Sequence, residues 1–168
     1  MFKRKIYSKM QEWKKDSDGK TALLIEGARR IGKSTVVEEF AKNEYESYIL
    51  IDFARASKET KELFEDVSDL NFLFLQLQLQ YRVDLQERKS VIIFDEVQLC
   101  PAARQAIKAL VADHRYDYIE TGSLISIREN VKDILIPSEE DRLDMYPFDF
   151  EEFLWALGDE TIMPLIRD

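Results

Sequence analysis

The 168-residue sequence has few of the residues that build small cross-linked or metal-stabilised proteins. Its single cysteine excludes a disulfide framework and a cysteine-based zinc site, and indicates a reducing compartment. Its single histidine excludes a histidine-rich metal cluster. Five glycines and four prolines are too few for collagen-like or low-complexity sequence.

Long apolar stretches are also missing. The first 20 residues are basic and polar and lack the apolar core of a signal peptide. Elsewhere, the strongly apolar runs are only a few residues long, far short of the roughly 18 that would span a bilayer. We therefore expect a soluble, cytoplasmic protein without a membrane contact.

The composition favours one folded domain over residues 1–168, with 45% hydrophobic and 34% charged residues. The formal net charge is −9, and it is unevenly distributed. Residues 1–35 hold ten basic and four acidic side chains, a balance of +6, so the remainder carries −15. The acidic body argues against general nucleic-acid binding, whereas the basic start of the chain suits an anion site.

Apolar patterning predicts strands that alternate with helices, which is typical of an α/β fold with a parallel sheet. The predicted strands are Thr21–Gly27, Ser47–Phe53, Ser90–Val97, Tyr116–Glu120 and, more weakly, Leu143–Phe148. The predicted helices are Lys33–Lys42, Ser57–Asp66, Asp69–Tyr81, Pro101–Asp113 and one that begins at Asp149. Residues 73–85 alternate apolar and polar side chains, as a strand would. We nevertheless assign a helix there, because two parallel strands need a crossover connection.

Residues 27–34 match the pattern G-x-x-x-x-G-K-[ST], which this composition would produce by chance roughly 0.001 times. Gly27 and Gly32 allow the backbone to approach a ligand closely, so that successive N–H groups surround phosphate oxygens. Lys33 would contact the β- and γ-phosphates, and the Ser34 hydroxyl would bind Mg²⁺. The predicted nucleotide-binding residues are Gly27, Ala28, Arg29, Arg30, Ile31, Gly32, Lys33, Ser34 and Thr35.

Two adjacent acids, Asp95 and Glu96, follow the most apolar predicted strand. Neighbouring residues on a strand point to opposite faces, so the two carboxylates can have different roles. We expect Asp95 to hold Mg²⁺ and Glu96 to activate the attacking water. The acid pair favours an ATPase, and Asn130–Asp133 does not match the order of the guanine-reading N-K-x-D segment.

Thr121 and Ser123 end the fourth predicted strand, where a hydroxyl could sense the γ-phosphate. Thr121 is the preferred candidate, and Ser123 stays open. Hydrolysis often needs an arginine that stabilises the transition state. The candidates are Arg104, Arg115, Arg128 and Arg142, and a solvated surface position is the simpler interpretation for each. Arg128 and Arg142 are preferred.

Four segments occur in an order that resembles a family of prokaryotic AAA-type P-loop ATPases, generally described only as ATP-binding proteins. They are residues 27–35 (GARRIGKST), 93–101 (IFDEVQLCP), 119–123 (IETGS) and 146–158 (YPFDFEEFLWALG). The resemblance implies a three-layer P-loop NTPase sandwich, with a five-stranded parallel sheet of order 5-1-4-3-2 and helices on both faces. It also implies ATP as substrate with Mg²⁺, Lys33 and Ser34 as nucleotide and metal ligands, Asp95 as the metal-associated acid and Glu96 as the catalytic acid. Thr121 or Ser123 would then be the sensor.

Members of this family usually continue into a lid or winged-helix-like region and a C-terminal domain, so we expect this chain to be a fragment. The missing parts would supply contacts to adenine and an arginine in trans, from that domain or from a second copy in a homo-oligomer. The expected function is Mg²⁺-dependent ATP hydrolysis. The alternative is a nucleotide-gated switch that binds ATP with negligible turnover in isolation.

Overall fold

Strands and helices alternate along the chain in the computed structural model, which describes residues 5–27, 32–123 and 140–145. The helices are α1 (Lys5–Ser17), α2 (Lys33–Glu44), α3 (Lys58–Glu62), α4 (Leu70–Tyr81) and α5 (Pro101–Asp113). The strands are β1 (Ala22–Gly27), β2 (Ser47–Asp52), β3 (Ser90–Asp95), β4 (Asp117–Ser123) and β5 (Glu140–Met145). Short 3-10 turns span Leu63–Glu65 and Val97–Leu99.

The five strands form one sheet in which every pairing is parallel. The order is β2-β3-β4-β1-β5, so the predicted order 5-1-4-3-2 is confirmed. The pairing aligns the carboxyl ends of the strands: Gly27 lies opposite Ser123, and Asp52 lies opposite Asp95. Side chains that follow β1, β3 and β4 therefore meet at one edge of the sheet.

Two separate hydrophobic clusters cover the two faces of the sheet, which makes the fold a three-layer sandwich. One cluster joins the sheet to α4 and α5, with Leu77 and Ile107 fully buried. The other joins the opposite face to α1 and α2, with Met10 and Phe40 fully buried. The predicted fold class is confirmed. Within the described ranges, the helices are all too short or too polar to cross a bilayer.

Helix α4 explains the strand-like alternation of residues 73–85. Leu73, Phe74 and Leu77 form its buried face and pack beneath the sheet. Leu75 and Leu79 lie on the opposite face and are 52% and 63% exposed. The helix is therefore apolar on two faces, each with helical spacing, and the two sets together produce the alternation seen in the sequence. The Asp69 carboxylate caps it by accepting a hydrogen bond from the Phe72 N–H at 3.1 Å.

The sequence analysis missed α1. Its buried stripe of Ile6, Met10 and Trp13 has helical spacing, but the charged residues between them conceal the pattern. The predicted fifth strand, Leu143–Phe148, overlaps β5 but begins three residues too late, since β5 spans Glu140–Met145. The reason is that β5 begins with charged residues, which a pattern of apolar residues cannot detect. Residues 146–148 and the predicted helix at Asp149 lie outside the described residues.

Candidate nucleotide-binding site

The candidate site lies at the carboxyl edge of the sheet, where β1, β4 and β3 end side by side. Gly27 ends β1, Asp95 ends β3, and Ser123 ends β4. The sheet reverses its strand order here, since the chain runs from β1 outward to β2 and then returns to β3 and β4. Open α/β sheets bind ligands at such switch points.

The described part of the glycine-rich loop comprises Gly27 and Gly32–Thr35, and residues 28–31 lie outside the described residues. Gly32 has φ 91°, a left-handed conformation that favours glycine, and it directly precedes α2. The Lys33 side chain folds back, and its Nζ donates a hydrogen bond to the Gly27 carbonyl at 3.1 Å. Lys33 is only 5% exposed. The lysine thus lies within the loop, where the amino-terminal end of α2 adds positive potential.

Ser34 and Asp95, which are 61 residues apart, meet directly. The Ser34 Oγ donates to Asp95 Oδ1 at 2.8 Å. Adjacent ligands of octahedral Mg²⁺ are about 2.9 Å apart when the metal–oxygen distance is about 2.05 Å. Both groups are hard oxygen donors, so the pair fits the magnesium ion that the family implies. The described residues contain no group of three or more His, Cys, Asp or Glu suited to a metal. The other ligands would be phosphate and water oxygens, as Mg²⁺ commonly has.

The environment of Asp95 favours a bound cation. Burial is the main cause that raises the pKa of its carboxyl group above the ordinary value. The negative charges of Glu96 and Asp52 act in the same direction, while hydrogen bonds from Thr121 and Ser34 oppose it. Asp52 is an acid that the sequence analysis overlooked, although it also ends a strand. A cation between these groups would offset the desolvation of Asp95.

Glu96 does not continue β3, contrary to the expectation that the two acids alternate along a strand. The strand ends at Asp95, and Glu96 has φ 57° and ψ 53°, a left-handed conformation that is uncommon outside glycine. Its N–H donates to Thr121 Oγ1 at 3.0 Å, and its Oε2 accepts from Gln98 Nε2 at 2.6 Å. The backbone therefore turns between the two acids, and their carboxylates have different hydrogen-bond partners. Such outliers are common at functional sites.

The two sensor candidates differ in their contacts. Thr121 Oγ1 is fully buried, donates to Asp95 Oδ1 at 2.6 Å, and accepts from the Glu96 N–H. Its hydroxyl proton is therefore already used within the acid pair. Ser123 Oγ is buried and has no hydrogen-bond partner among the described residues. Ser123 lies opposite Gly27, at the start of the loop.

The described arginine candidates are all ion-paired elsewhere. Arg115 Nε lies 2.9 Å from Asp113 Oδ2, and the guanidinium covers the Phe74 ring at 4.8 Å. Arg142 pairs with Glu26 and with Glu140 at 3.2 and 3.6 Å. Arg128 lies outside the described residues.

Arg104 contradicts the interpretation of a solvated surface position. Its side chain is 1% exposed, and its Nη2 lies 3.0 Å from Glu140 Oε1. The helix pattern did not reveal this, because the acid that pairs with Arg104 comes from a distant strand, β5.

Sequence reasoning also missed a buried charge cluster beside the site. It contains three carboxylates and two guanidiniums: Glu26, Glu120, Glu140, Arg104 and Arg142. Glu120 is fully buried, and burial, followed by the effect of the neighbouring Glu140 carboxylate, raises the pKa of its carboxyl group well above the ordinary value. A proton on Glu120 would balance the charge of the cluster. Glu26 and Glu120 directly precede Gly27 and Thr121, so the cluster supports two strand ends of the site. The signal available in the sequence was the presence of Glu26 and Glu120 within two otherwise apolar strands, β1 and β4.

Cys100 and His114, the single cysteine and the single histidine of the chain, have structural surroundings. Cys100 is 4% exposed. His114 ends α5 in a left-handed conformation, and its Nε2 lies 2.9 Å from the Asp18 carbonyl. Trp155 lies outside the described residues.

Comparison with known proteins identifies the family of the chain. A family model described as an AAA domain matches residues 19–154. No curated protein matches the chain significantly. The solved structure of PCH-2 from C. elegans is similar with a TM-score of 0.49 and 14% identity, over 96% of this chain. The chain spans 46% of that protein's length. With most of its length matched by the family model, the chain belongs to the AAA domain family of P-loop ATPases.

Proposed function

We propose that the protein binds ATP with Mg²⁺ and hydrolyses its terminal phosphoanhydride bond. The observation that carries the proposal is the contact between the Ser34 hydroxyl and the Asp95 carboxylate, directly after a glycine–lysine pair. The proposal is supported by two oxygen donors suited to a metal and by the buried ammonium group of Lys33, which directly precedes Ser34. The nearby charges suit a triphosphate, which needs both a cationic partner and a divalent ion.

In this proposal, residues 27–35 surround the phosphates. Backbone N–H groups of the loop bind phosphate oxygens, and Lys33 exchanges its contact with the Gly27 carbonyl for the β- and γ-phosphates. Ser34 and Asp95 would hold Mg²⁺, which would supply positive charge against the phosphates. Ser123 donates its hydroxyl to the γ-phosphate, and Thr121 keeps the acid pair in place.

Glu96 acts as the general base in this proposal. One carboxylate oxygen accepts a hydrogen bond from Gln98, and the described residues donate none to the other. That second oxygen can accept a proton from water as the water attacks the γ-phosphorus. General-base catalysis of this kind contributes roughly 10²–10⁴-fold to rate.

The test separates binding from turnover. Lys33→Ala should abolish ATP binding measured by calorimetry with magnesium, while Lys42→Ala, an exposed lysine on the same helix, should bind normally. Glu96→Gln should keep ATP binding and lose about 10²-fold or more in single-turnover hydrolysis. Glu65→Gln, an exposed acid, is the matched control. Normal hydrolysis by Glu96→Gln would show that another group is the base.

One observation favours a second candidate, a nucleotide-gated switch with negligible turnover in isolation. Arg104, Arg115 and Arg142 are engaged with acids, which leaves the transition state without an arginine from these three positions. Such an arginine is worth roughly 10³–10⁵ in rate, and a second copy or a C-terminal domain in trans could supply it. Tight ATP binding with very slow single-turnover cleavage would favour the switch over the hydrolase.

A further inference from the structure

We propose that Gln98 is a positioning residue that orients the Glu96 carboxylate toward the attacking water. The inference rests on the proposed role of Glu96 as general base. It assigns a task to a side chain that the sequence analysis left without one. Gln98 would act through Glu96 and would not touch the nucleotide.

The contact between the two side chains is short and has a defined direction. Gln98 Nε2 lies 2.6 Å from Glu96 Oε2. An ionised carboxylate has no proton to donate, so the amide nitrogen of Gln98 must face it, and the amide oxygen must point away. Charge-assisted hydrogen bonds of this length are stronger than neutral ones. The bond therefore fixes one carboxylate oxygen and leaves Oε1 to accept a proton.

The backbone around the pair is held on several sides. Val97 is fully buried in the core cluster with α4 and α5. The Leu99 N–H donates to the Glu96 carbonyl at 3.0 Å, and the Glu96 N–H donates to Thr121. These contacts fix the Glu96 backbone but leave the torsions of its side chain undetermined. The bond from Gln98 supplies that missing constraint.

Gln98 is also costly to bury, which argues against a role in packing. It is 5% exposed, and its Oε1 has no hydrogen-bond partner among the described residues. A buried acceptor without a donor destabilises the folded state, whereas an apolar side chain of the same shape would not. A buried polar group with such a cost is expected where it serves the reaction.

The experiment replaces the amide with groups of similar shape. Gln98→Met keeps the length and removes the donor, and Gln98→Glu places a second carboxylate against Glu96. Single-turnover hydrolysis and ATP affinity are measured for each variant, together with the thermal midpoint. For Gln98→Met we expect the hydrolysis rate to fall about 10- to 100-fold, as misplacing a catalytic group does, with ATP affinity within about twofold. The thermal midpoint should be nearly unchanged, because removal of the unpaired oxygen offsets loss of the bond to the Glu96 carboxylate, which is partly exposed and can be hydrated.

Gln98→Glu should be slower than Gln98→Met, since two carboxylates repel and the donor is lost. In the Glu96→Gln background, Gln98→Met should cause no further loss, because its effect passes through Glu96. A second readout does not depend on turnover. The side-chain amide signal of Gln98 in the nuclear magnetic resonance spectrum should shift when Glu96 is replaced by Gln.

The outcomes separate this inference from the proposed function. If Glu96→Gln hydrolyses ATP normally, the assignment of the base is wrong, and the role of Gln98 is overturned with it. If Glu96→Gln is inactive while Gln98→Met keeps the full rate, only the role of Gln98 is overturned. A fall in rate that is matched by a lower thermal midpoint and weaker ATP binding would also overturn it, because that pattern indicates a structural role. If the side-chain amide signal of Gln98 does not shift in Glu96→Gln, that result would contradict the contact between the two side chains.

Discussion

Arg104 offers a direct test of the buried charge cluster, through the substitution Arg104→Met. Methionine keeps most of the side-chain length but removes the guanidinium that lies 3.0 Å from Glu140. The Arg104 and Glu140 side chains are 1% and 0% exposed, so water cannot replace the lost partner. Glu140 would then have only Arg142 as a cationic partner, at 3.6 Å. Glu120 would remain beside the Glu140 carboxylate but would lose the positive charge of Arg104.

The expected loss is about 3–5 kcal/mol in the free energy of unfolding, which is the cost of leaving a buried charge without its partner. The free energy of unfolding of a domain is typically about 5–15 kcal/mol, so the variant would lose a large part of its stability. Urea unfolding followed by circular dichroism measures this quantity directly.

Two further variants control for the interpretation. Arg55→Met removes an arginine that is 90% exposed and 3.9 Å from Asp52, and should change stability by less than about 0.5 kcal/mol. Adding Glu140→Gln to Arg104→Met removes the unpaired negative charge and should recover at least half of the lost free energy of unfolding. A change below about 1 kcal/mol for Arg104→Met would refute the view that this pair is a buried charge contact.

Three further predictions concern stability. Because burial raises the folded-state pKa of Glu120 above its ordinary value of 4.5, the folded protein keeps a proton that the unfolded chain releases. The free energy of unfolding should therefore fall as the pH rises above about 4.5, by at most about 1.4 kcal/mol per pH unit, and urea titrations of Glu120→Gln should lack this slope. Leu77→Ala should cost about 2–5 kcal/mol and Leu79→Ala under about 0.5 kcal/mol by urea unfolding, whereas equal costs would contradict the helix. Thr121→Val leaves the Glu96 N–H unpaired and Asp95 without one donor, so calorimetric melting should show a loss of about 2–4 kcal/mol that Thr121→Ser largely avoids.

The sheet could be predicted because its central strands are continuous apolar runs. Residues 91–94 and 22–25 are buried on both faces, so burial needs no alternation and the runs stand out in the sequence. Helix α4 was harder, because Leu75 and Leu79 alternate with polar residues while facing solvent. The helix was nevertheless predicted correctly, because two parallel strands need a crossover connection between them.

Strand β5 was misplaced because its position depends on a contact between distant residues, whereas α1 was missed because charged residues conceal its local pattern. Strand β5 is charged because its Glu140 meets Arg104 from another part of the chain, and no local pattern contains that information. The glycine-rich loop and the acid pair were identifiable, since their spacing is fixed along the chain. The contact of Gln98 with Glu96 was not, because it requires the unusual backbone angle at Glu96.

The Thr121 hydroxyl has a consequence for how the two acids can vary. One oxygen atom holds the carboxylate of Asp95 and the backbone of Glu96 at the same time. The spacing between the metal-side acid and the water-side acid is thus fixed by a neighbouring strand as well as by the peptide that joins them. A movement of β4 relative to β3 would therefore act on both groups, and replacing Thr121 by a residue without a hydroxyl removes both contacts at once.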